Sequence, residues 1–303
     1  DVNKPNKIIE FTRELALSKN PVFTEAHFTK KPHGRIAFFD EIQPHGPSAP
    51  LKRLDITNPK YDQHIEKAFY YTDLKAREAV LTLYNNKVNV SKIQKAFSVG
   101  AFGINKFRRF VPTRWSITAV DSILGKNLLQ TTKTNPWINE VRLYYHEQYD
   151  NRWIILMIPS EWQYELIEAW YPNTTWNQYG TTISIFNSYE LYKGRTTYAE
   201  IGGCYYAARL AVNETLTKEQ RQASVVILRE AHPGYIMPIG VWNVRESVRK
   251  ALTQPYRTYD TLNQALTDIT MKMDIPLQRW IHNSAVLKNH LYQKRLEDFL
   301  IQP

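Results

Sequence analysis

The sequence predicts an α+β fold, with a mixed, mainly antiparallel sheet and surrounding helices. Apolar residues recur at helical spacing in some segments and alternate in others, and the two patterns follow one another without a regular βαβ rhythm. The chain has 303 residues, of which 43% are apolar and 22% charged, enough to bury a sizeable core. We expect a body over residues 1–290, either undivided or in two lobes of about 1–130 and 131–290, and a tail over 291–303.

The first 130 residues carry mostly helical patterns. "NKIIEFTRELALSK" and "TDLKAREAVLTLY" place apolar residues on one face of a helix, and a short helix is expected after Ser91. A further helix should begin near Ser116 or Thr118, because hydroxyl side chains favour the N-cap position. This part of the chain is therefore expected to be mainly helical.

The sheet is predicted from the middle of the chain. "EVRLYYHEQYDNRWIILMI" is typical of a β-hairpin with its turn in "QYDN", and "TTISIFNSYELY" and "ASVVILRE" indicate further strands. Between them, "SEWQYELIEAWYP" is expected to be a helix, because Ser160 and Gln163 have capping-box spacing and Pro172 would end it.

Three later segments predict helices. "YAEIGGCYYAARLAVNETL" and "DTLNQALTDITMKM" have helical periodicity, and "NVRESVRKAL" should be capped by Asn243 with Glu246 in the reciprocal position. These helices would cover the sheet.

The net charge of +10, from 39 Lys and Arg against 29 Asp and Glu, favours a polyanionic partner, nucleic acid first. The strongest candidate is "NKFRRFVPTRW", which combines cations with aromatic rings on which bases can stack. The cations are Lys106, Arg108, Arg109 and Arg114, and the rings are Phe107, Phe110 and Trp115. Alternatively, this is a loop whose aromatic residues anchor it to the core while its charges stay solvated.

No motif identifies a reaction or a cofactor. Gly-rich phosphate loops, a GxSxG elbow and an HExxH zinc motif are all absent from the sequence. His146 and Glu147 are neighbours in a predicted strand and would point to opposite faces, so we expect no metal site there. If the protein is an enzyme acting on DNA or a nucleotide, Arg114, Asp121 and Arg195 are the candidate catalytic residues, because they lie in the polar motifs "VPTRWSITAVD" and "GRTTYAEIGG".

Two features bear on location. No stretch approaches the ~18 unbroken apolar residues of a membrane helix, so we expect no membrane partner. The single cysteine, Cys204, excludes a disulfide within the chain and favours a cytoplasmic protein.

The end of the chain, "QKRLEDFLIQP", is unusually apolar for a terminus. In a helical turn Leu296, Phe299 and Leu300 would form one apolar face, with Gln293 one turn earlier. Such a face either packs on the body of the chain or fits a hydrophobic socket on a partner. The pattern resembles the PCNA-interacting motif, although Leu300 stands where that motif has an aromatic residue.

Longer motifs carry a wider resemblance. "PHGPSAPLK", "VPTRWSITAVD", "GRTTYAEIGGCYYAARLAV", "RQASVVILRE" and "GVWNVRESVRKAL" together resemble the archaeal Nre family of DNA-repair proteins, from about Phe39 to the C-terminus. The resemblance implies a DNA-damage-response factor that docks on the sliding clamp (PCNA) and works at the nucleoid. A protein adaptor that makes no DNA contact of its own is a further alternative.

Overall fold

The computed structural model of the protein describes residues 6–35, 46–235 and 239–293. The chain divides into two compact units between Leu124 and Gly125. Helices accompany a small antiparallel sheet in the first unit and a larger mixed sheet in the second. The α+β prediction is therefore confirmed.

The first unit is mainly helical, and some of its helices begin at side chains that accept hydrogen bonds from backbone amides. Asn6 caps α1 (Lys7–Leu17) in this way, and Asp62 caps α2 (Gln63–Tyr70). Helices α2, α3 and α4 pack against one another in sequence and bury residues such as Val80, Leu83 and Ile93. The elements of this unit are α1 (Lys7–Leu17), β1 (Thr24–Phe28), β2 (Leu51–Ile56), α2 (Gln63–Tyr70), α3 (Ala76–Asn85), α4 (Val90–Ser98) and a short 3-10 helix (Asn105–Phe107).

Helix α5 (Thr113–Thr132) begins earlier than the sequence predicts. Ser116 and Thr118, expected as caps, lie inside the helix and donate their hydroxyls to the carbonyls of Thr113 and Arg114, at 2.9 and 3.1 Å. Hydroxyl side chains often bond back to the preceding turn, so these two residues do not start the helix.

The second unit is built on a six-stranded sheet. The strands are β3 (Val141–Gln148), β4 (Asn151–Ile158), β5 (Gln163–Trp170), β6 (Ser184–Glu190), β7 (Ser224–Ala231) and β8 (Arg257–Tyr259). Their order in the sheet is β6-β5-β7-β4-β3-β8, and all neighbouring strands are antiparallel except β5 and β7, which are parallel. The helices are α6 (Gly203–Glu219), α7 (Val241–Leu252), α8 (Leu262–Thr270), α9 (Leu277–Asn283) and α10 (Ala285–Tyr292).

Both faces of this sheet are covered. Ile155 and Met157 of β4 point into a core shared with α6 and α7, whereas Ile154 and Leu156 point into a core shared with α8, α9 and α10. Successive residues of a strand face opposite sides. This explains why β4 is apolar throughout rather than alternating.

The helix predicted over "SEWQYELIEAWYP" is wrong: residues Gln163–Trp170 form strand β5. Tyr164 and Leu166 face one core and Ile167 faces the other. The two glutamates of this strand, Glu165 and Glu168, are both buried.

The predicted cap of α7 is also wrong. The helix begins at Val241, after Gly240, whose φ of +64° suits glycine. Asn243 lies within the first turn, is buried, and accepts a hydrogen bond from Ser247 at 3.2 Å.

Candidate nucleic-acid interface

Arg108 holds the segment that follows Gly103 against the C-terminal end of α2. Its Nε donates to the carbonyl of Gly103 at 2.7 Å, Nη1 to that of Phe69 at 2.7 Å, and Nη2 to that of Tyr71 at 2.8 Å. The guanidinium also lies over the Phe69 ring, 5.5 Å from its centroid. The last carbonyls of a helix lack partners within it, so Arg108 supplies donors where α2 ends.

Backbone hydrogen bonds fix the same segment at two further points. The amide of Asn105 donates to the carbonyl of Thr72 at 2.8 Å, and the amide of Val111 donates to that of Ser98 at 2.9 Å. The Ser98 hydroxyl returns a bond to the Val111 carbonyl at 2.7 Å. The segment is thus tied to the ends of both α2 and α4.

This anchoring leaves aromatic rings in solvent beside cations. Phe107 is 59% exposed, Trp115 54% and Tyr70 67%, although large aromatic side chains are usually well buried. We name as the basic aromatic surface the residues Tyr70, Tyr71, Lys106, Phe107, Arg109, Phe110 and Trp115, all of them exposed. Exposed apolar groups of this size, next to positive charge, are typical of an interaction site.

The four predicted phosphate-binding cations have different surroundings. Lys106 and Arg109 are exposed, and the Lys106 ammonium lies 5.1 Å from the centroid of the Phe107 ring. Arg114 is exposed on the first turn of α5 and has an interaction partner within the structure. Arg108 has all three guanidinium nitrogens on backbone carbonyls; burial, and to a lesser extent the positive charge of Arg13, lower its pKa. Arg108 is therefore a structural residue of the surface.

Sequence reasoning missed Tyr70 and Tyr71 as members of this surface. They lie more than thirty residues before Phe107 in the chain, and contacts from Arg108 to Phe69 and Tyr71 and from Asn105 to Thr72 bring the two segments together. The one available signal was the pair of adjacent tyrosines immediately before the predicted helix "TDLKAREAVLTLY".

Two of the three candidate catalytic residues lie in the first unit. Asp121 is completely buried and accepts a hydrogen bond from Nε2 of Gln94 at 2.8 Å. Arg114, seven residues earlier on α5, is exposed. Asp121 thus helps to join α5 to α4, which is a structural contact.

Arg195, the third candidate, lies in the second unit beside a surface pocket of ≈ 760 Å³. Its guanidinium donates to Glu200 at 2.9 Å and to the carbonyls of Tyr189 and Tyr198 at 2.7 and 3.1 Å. Hydrogen bonds from the Ser188 hydroxyl, from its own backbone and from Arg195 hold the pKa of Glu200 below its usual value. These contacts brace the loop between β6 and α6.

Among the described residues, one group has the spacing of metal ligands: Glu230, His232 and Asp274. The Glu230 carboxylate already accepts the backbone amides of Asp274 and Ile275, at 3.2 and 2.8 Å. The Arg152 guanidinium lies 2.5 Å from Asp274 and 3.9 Å from Glu230. Since Arg152 supplies the positive charge, we interpret the group as an ion-pair cluster.

The C-terminal motif is described only at its first residue. Gln293 follows α10, is exposed, and donates its amide to the carbonyl of Asn289 at 3.2 Å. Leu296, Phe299 and Leu300 lie outside the described residues. The helices of the described ranges are too short or too polar to cross a membrane.

Comparisons with known proteins place the chain among one group of relatives. The family model described as "Archaeal Nre, N-terminal" matches residues 1–177, and the one described as "Archaeal Nre, C-terminal" matches residues 190–299. No solved structure matches the chain significantly.

Three similar proteins have curated names. DNA repair protein NreB of Archaeoglobus fulgidus is 40% identical over 97% of this chain and 75% of its own length. DNA repair protein NreA of the same organism is 36% identical over 90% of this chain and 69% of its own length. DNA repair protein NreA of Haloferax volcanii is 35% identical over 88% of this chain and 64% of its own length.

Proposed function

The chain belongs to the archaeal Nre family, and from this premise we propose that it is a DNA-repair factor that binds DNA and docks on the sliding clamp. The names of the three relatives support the repair role. Two features of this chain support the two contacts: the basic aromatic surface for DNA, and the C-terminal motif for the clamp.

The basic aromatic surface is the main observation in support of DNA binding. A protein that neutralises DNA phosphates gains affinity by releasing counterions, and Lys106 and Arg109 present their charges in solvent for this purpose. The chain as a whole carries a net charge of +10, which would attract a polyanion over a longer range. Arg108 contributes indirectly, because it holds the segment that bears both cations.

The salt dependence of DNA binding tests this assignment. In the double variant Lys106→Gln/Arg109→Gln, the slope of log K against log salt should become shallower by about 1.4 to 1.8, the value expected for two lost phosphate contacts. Fluorescence anisotropy of a labelled oligonucleotide over a salt series measures the slope.

The matched control is Lys126→Gln/Lys218→Gln, which removes the same charge from exposed positions on α5 and α6. It should retain the wild-type slope. Equal slopes for both double variants would contradict DNA binding at this surface.

Docking on the clamp is assigned to Gln293, Leu296, Phe299 and Leu300. Burying three apolar side chains yields roughly 1.5–3 kcal/mol each, and ordering a terminal segment offsets part of this gain. We expect a dissociation constant near the micromolar range, which corresponds to a binding free energy of about −8 kcal/mol. Because Leu300 stands in place of an aromatic residue, the affinity should lie toward the weaker side of this range.

Calorimetry against a purified archaeal sliding clamp tests this docking. Phe299→Ala should abolish measurable binding and leave the melting temperature unchanged. Asp298→Ala is the control, because its side chain would point away from the apolar face. Wild-type affinity in Phe299→Ala would refute clamp docking, and a lower melting temperature would indicate that the motif packs on the body of the chain.

A further inference from the structure

The basic aromatic surface presents more ring area than phosphate binding requires. Phe107 and Trp115 are more than half exposed, and Tyr70 and Tyr71 are at least half exposed. Lys106 and Arg109 are sufficient to bind phosphates, so phosphate binding does not explain the exposed rings. Exposure of apolar rings to water is unfavourable unless a partner covers them.

We propose that this surface binds single-stranded DNA, with unpaired bases stacked on its aromatic rings and phosphates held by Lys106 and Arg109. The inference rests on the proposed DNA binding and names the form of DNA. In a duplex the flat faces of the bases are already stacked on one another, so exposed rings have no base face to contact. In a single strand each base offers a face, and stacking tolerates any sequence.

The anchoring of the surface supports this assignment. Three Arg108 hydrogen bonds and the Ser98–Val111 pair fix the backbone that carries Phe107 and Phe110 before any ligand binds. Preorganisation lowers the entropy lost on binding. The Lys106 ammonium over the Phe107 ring also places a cation next to a stacking face, which suits a base and its adjoining phosphate.

The two kinds of contact predict different effects of mutation. Removing a ring should lower affinity for a single strand without changing the number of counterions released, so the salt slope stays constant. Removing a cation should change the slope. Affinity and salt slope together therefore separate stacking from charge.

The experiment measures anisotropy of a labelled oligothymidylate and of a labelled duplex of equal length, each over a salt series, with the full chain. The wild-type protein should bind the single-stranded oligothymidylate more tightly than the duplex. Phe107→Ala and Trp115→Ala should each weaken single-strand binding at least about fivefold, with an unchanged salt slope and unchanged duplex binding.

Phe186→Ala is the matched control, because Phe186 is 49% exposed on β6 of the other unit; it should bind as wild type does. If Phe107→Ala and Trp115→Ala bind the single strand as tightly as the control while Lys106→Gln/Arg109→Gln still changes the slope, stacking is refuted and DNA binding stands. If the charge variant also leaves the slope unchanged, the proposed DNA contact fails as well.

Discussion

Replacing Arg108 by alanine should loosen the basic aromatic surface, whereas the same change at Arg109 should not. The two arginines are adjacent in sequence and differ in what they contact. Arg108 donates to the carbonyls of Gly103, Phe69 and Tyr71, and Arg109 is exposed. The pair provides a matched comparison of a structural and a surface arginine.

The magnitude follows from the three hydrogen bonds. A bond to a charged donor contributes about 1.5–3 kcal/mol, and a carbonyl left unsatisfied when buried costs a similar amount. The Arg108 site is partly open, so water replaces some of what is lost and the three terms do not add. We expect Arg108→Ala to cost about 2–4 kcal/mol of local stability, and Arg109→Ala to stay within about 0.5 kcal/mol of wild type.

Hydrogen exchange measured by mass spectrometry reports the local stability of this segment. The amides of Asn105 and Val111 are bonded to the carbonyls of Thr72 and Ser98, so they exchange when the segment opens. In Arg108→Ala they should exchange about 30- to 700-fold faster, the range that corresponds to 2–4 kcal/mol. In Arg109→Ala their rates should remain those of wild type.

Arg108→Lys separates geometry from charge. A single ammonium cannot reach three carbonyls as the planar guanidinium does, so this variant should lose most of the protection while keeping its charge. Equal exchange rates in Arg108→Ala and Arg109→Ala would refute the conclusion that Arg108 anchors the surface.

Two further predictions concern groups of the second unit: Glu165, which is buried, and Cys204, which is half-buried. Glu165 accepts hydrogen bonds from the backbone amides of Ala285 and Val286 at 3.0 Å each, so Glu165→Ala should lower the free energy of unfolding in urea by about 2–4 kcal/mol, because it leaves buried donors unsatisfied. Glu165→Gln should lose less, and equal losses in the two variants would contradict a stabilising role for these hydrogen bonds. Burial, and secondarily the charge of Glu168, raise the pKa of the Cys204 thiol; because only the thiolate reacts, alkylation at mildly alkaline pH should be slow in the native protein and fast in urea, and equal rates would contradict this.

The residues of β5 show why part of the sheet escaped prediction. Glu165 and Glu168 are three positions apart, a spacing that favours the polar face of a helix. In the structure one is satisfied by the N-terminus of α10 and the other by Arg229, at 2.8 Å. These partners lie 121 and 61 residues away in the chain, so no local pattern could indicate that the carboxylates are buried.

Local patterns sufficed for the hairpin of β3 and β4 and for the helix α8, which are confirmed as predicted. Val141 and Leu143 of β3 alternate toward one core, β4 is an unbroken apolar run that faces both cores, and α8 packs its helically spaced apolar residues on one core. Thr261 and Gln264 also form a capping box at the start of α8, a signal contained within four residues.

The basic segment illustrates a limit of another kind. "RR" contains two identical letters, yet Arg108 binds carbonyls and Arg109 faces solvent. The acceptors are main-chain carbonyls, which every residue has, so no side-chain pattern marks them. Sequence indicated a basic aromatic segment but could not say which of its cations a ligand can reach.

The two proposed contacts would strengthen one another. A shallow, exposed surface with two accessible cations should bind DNA weakly, with a dissociation constant of roughly 10⁻⁴ to 10⁻⁶ M at physiological salt. A chain held on a clamp that encircles DNA would experience an effective DNA concentration on the order of millimolar. At that concentration even the weakest value in this range gives about 90% occupancy. Weak binding by the basic aromatic surface is therefore compatible with firm retention at a clamp, and release of the C-terminal motif would free the protein from DNA as well.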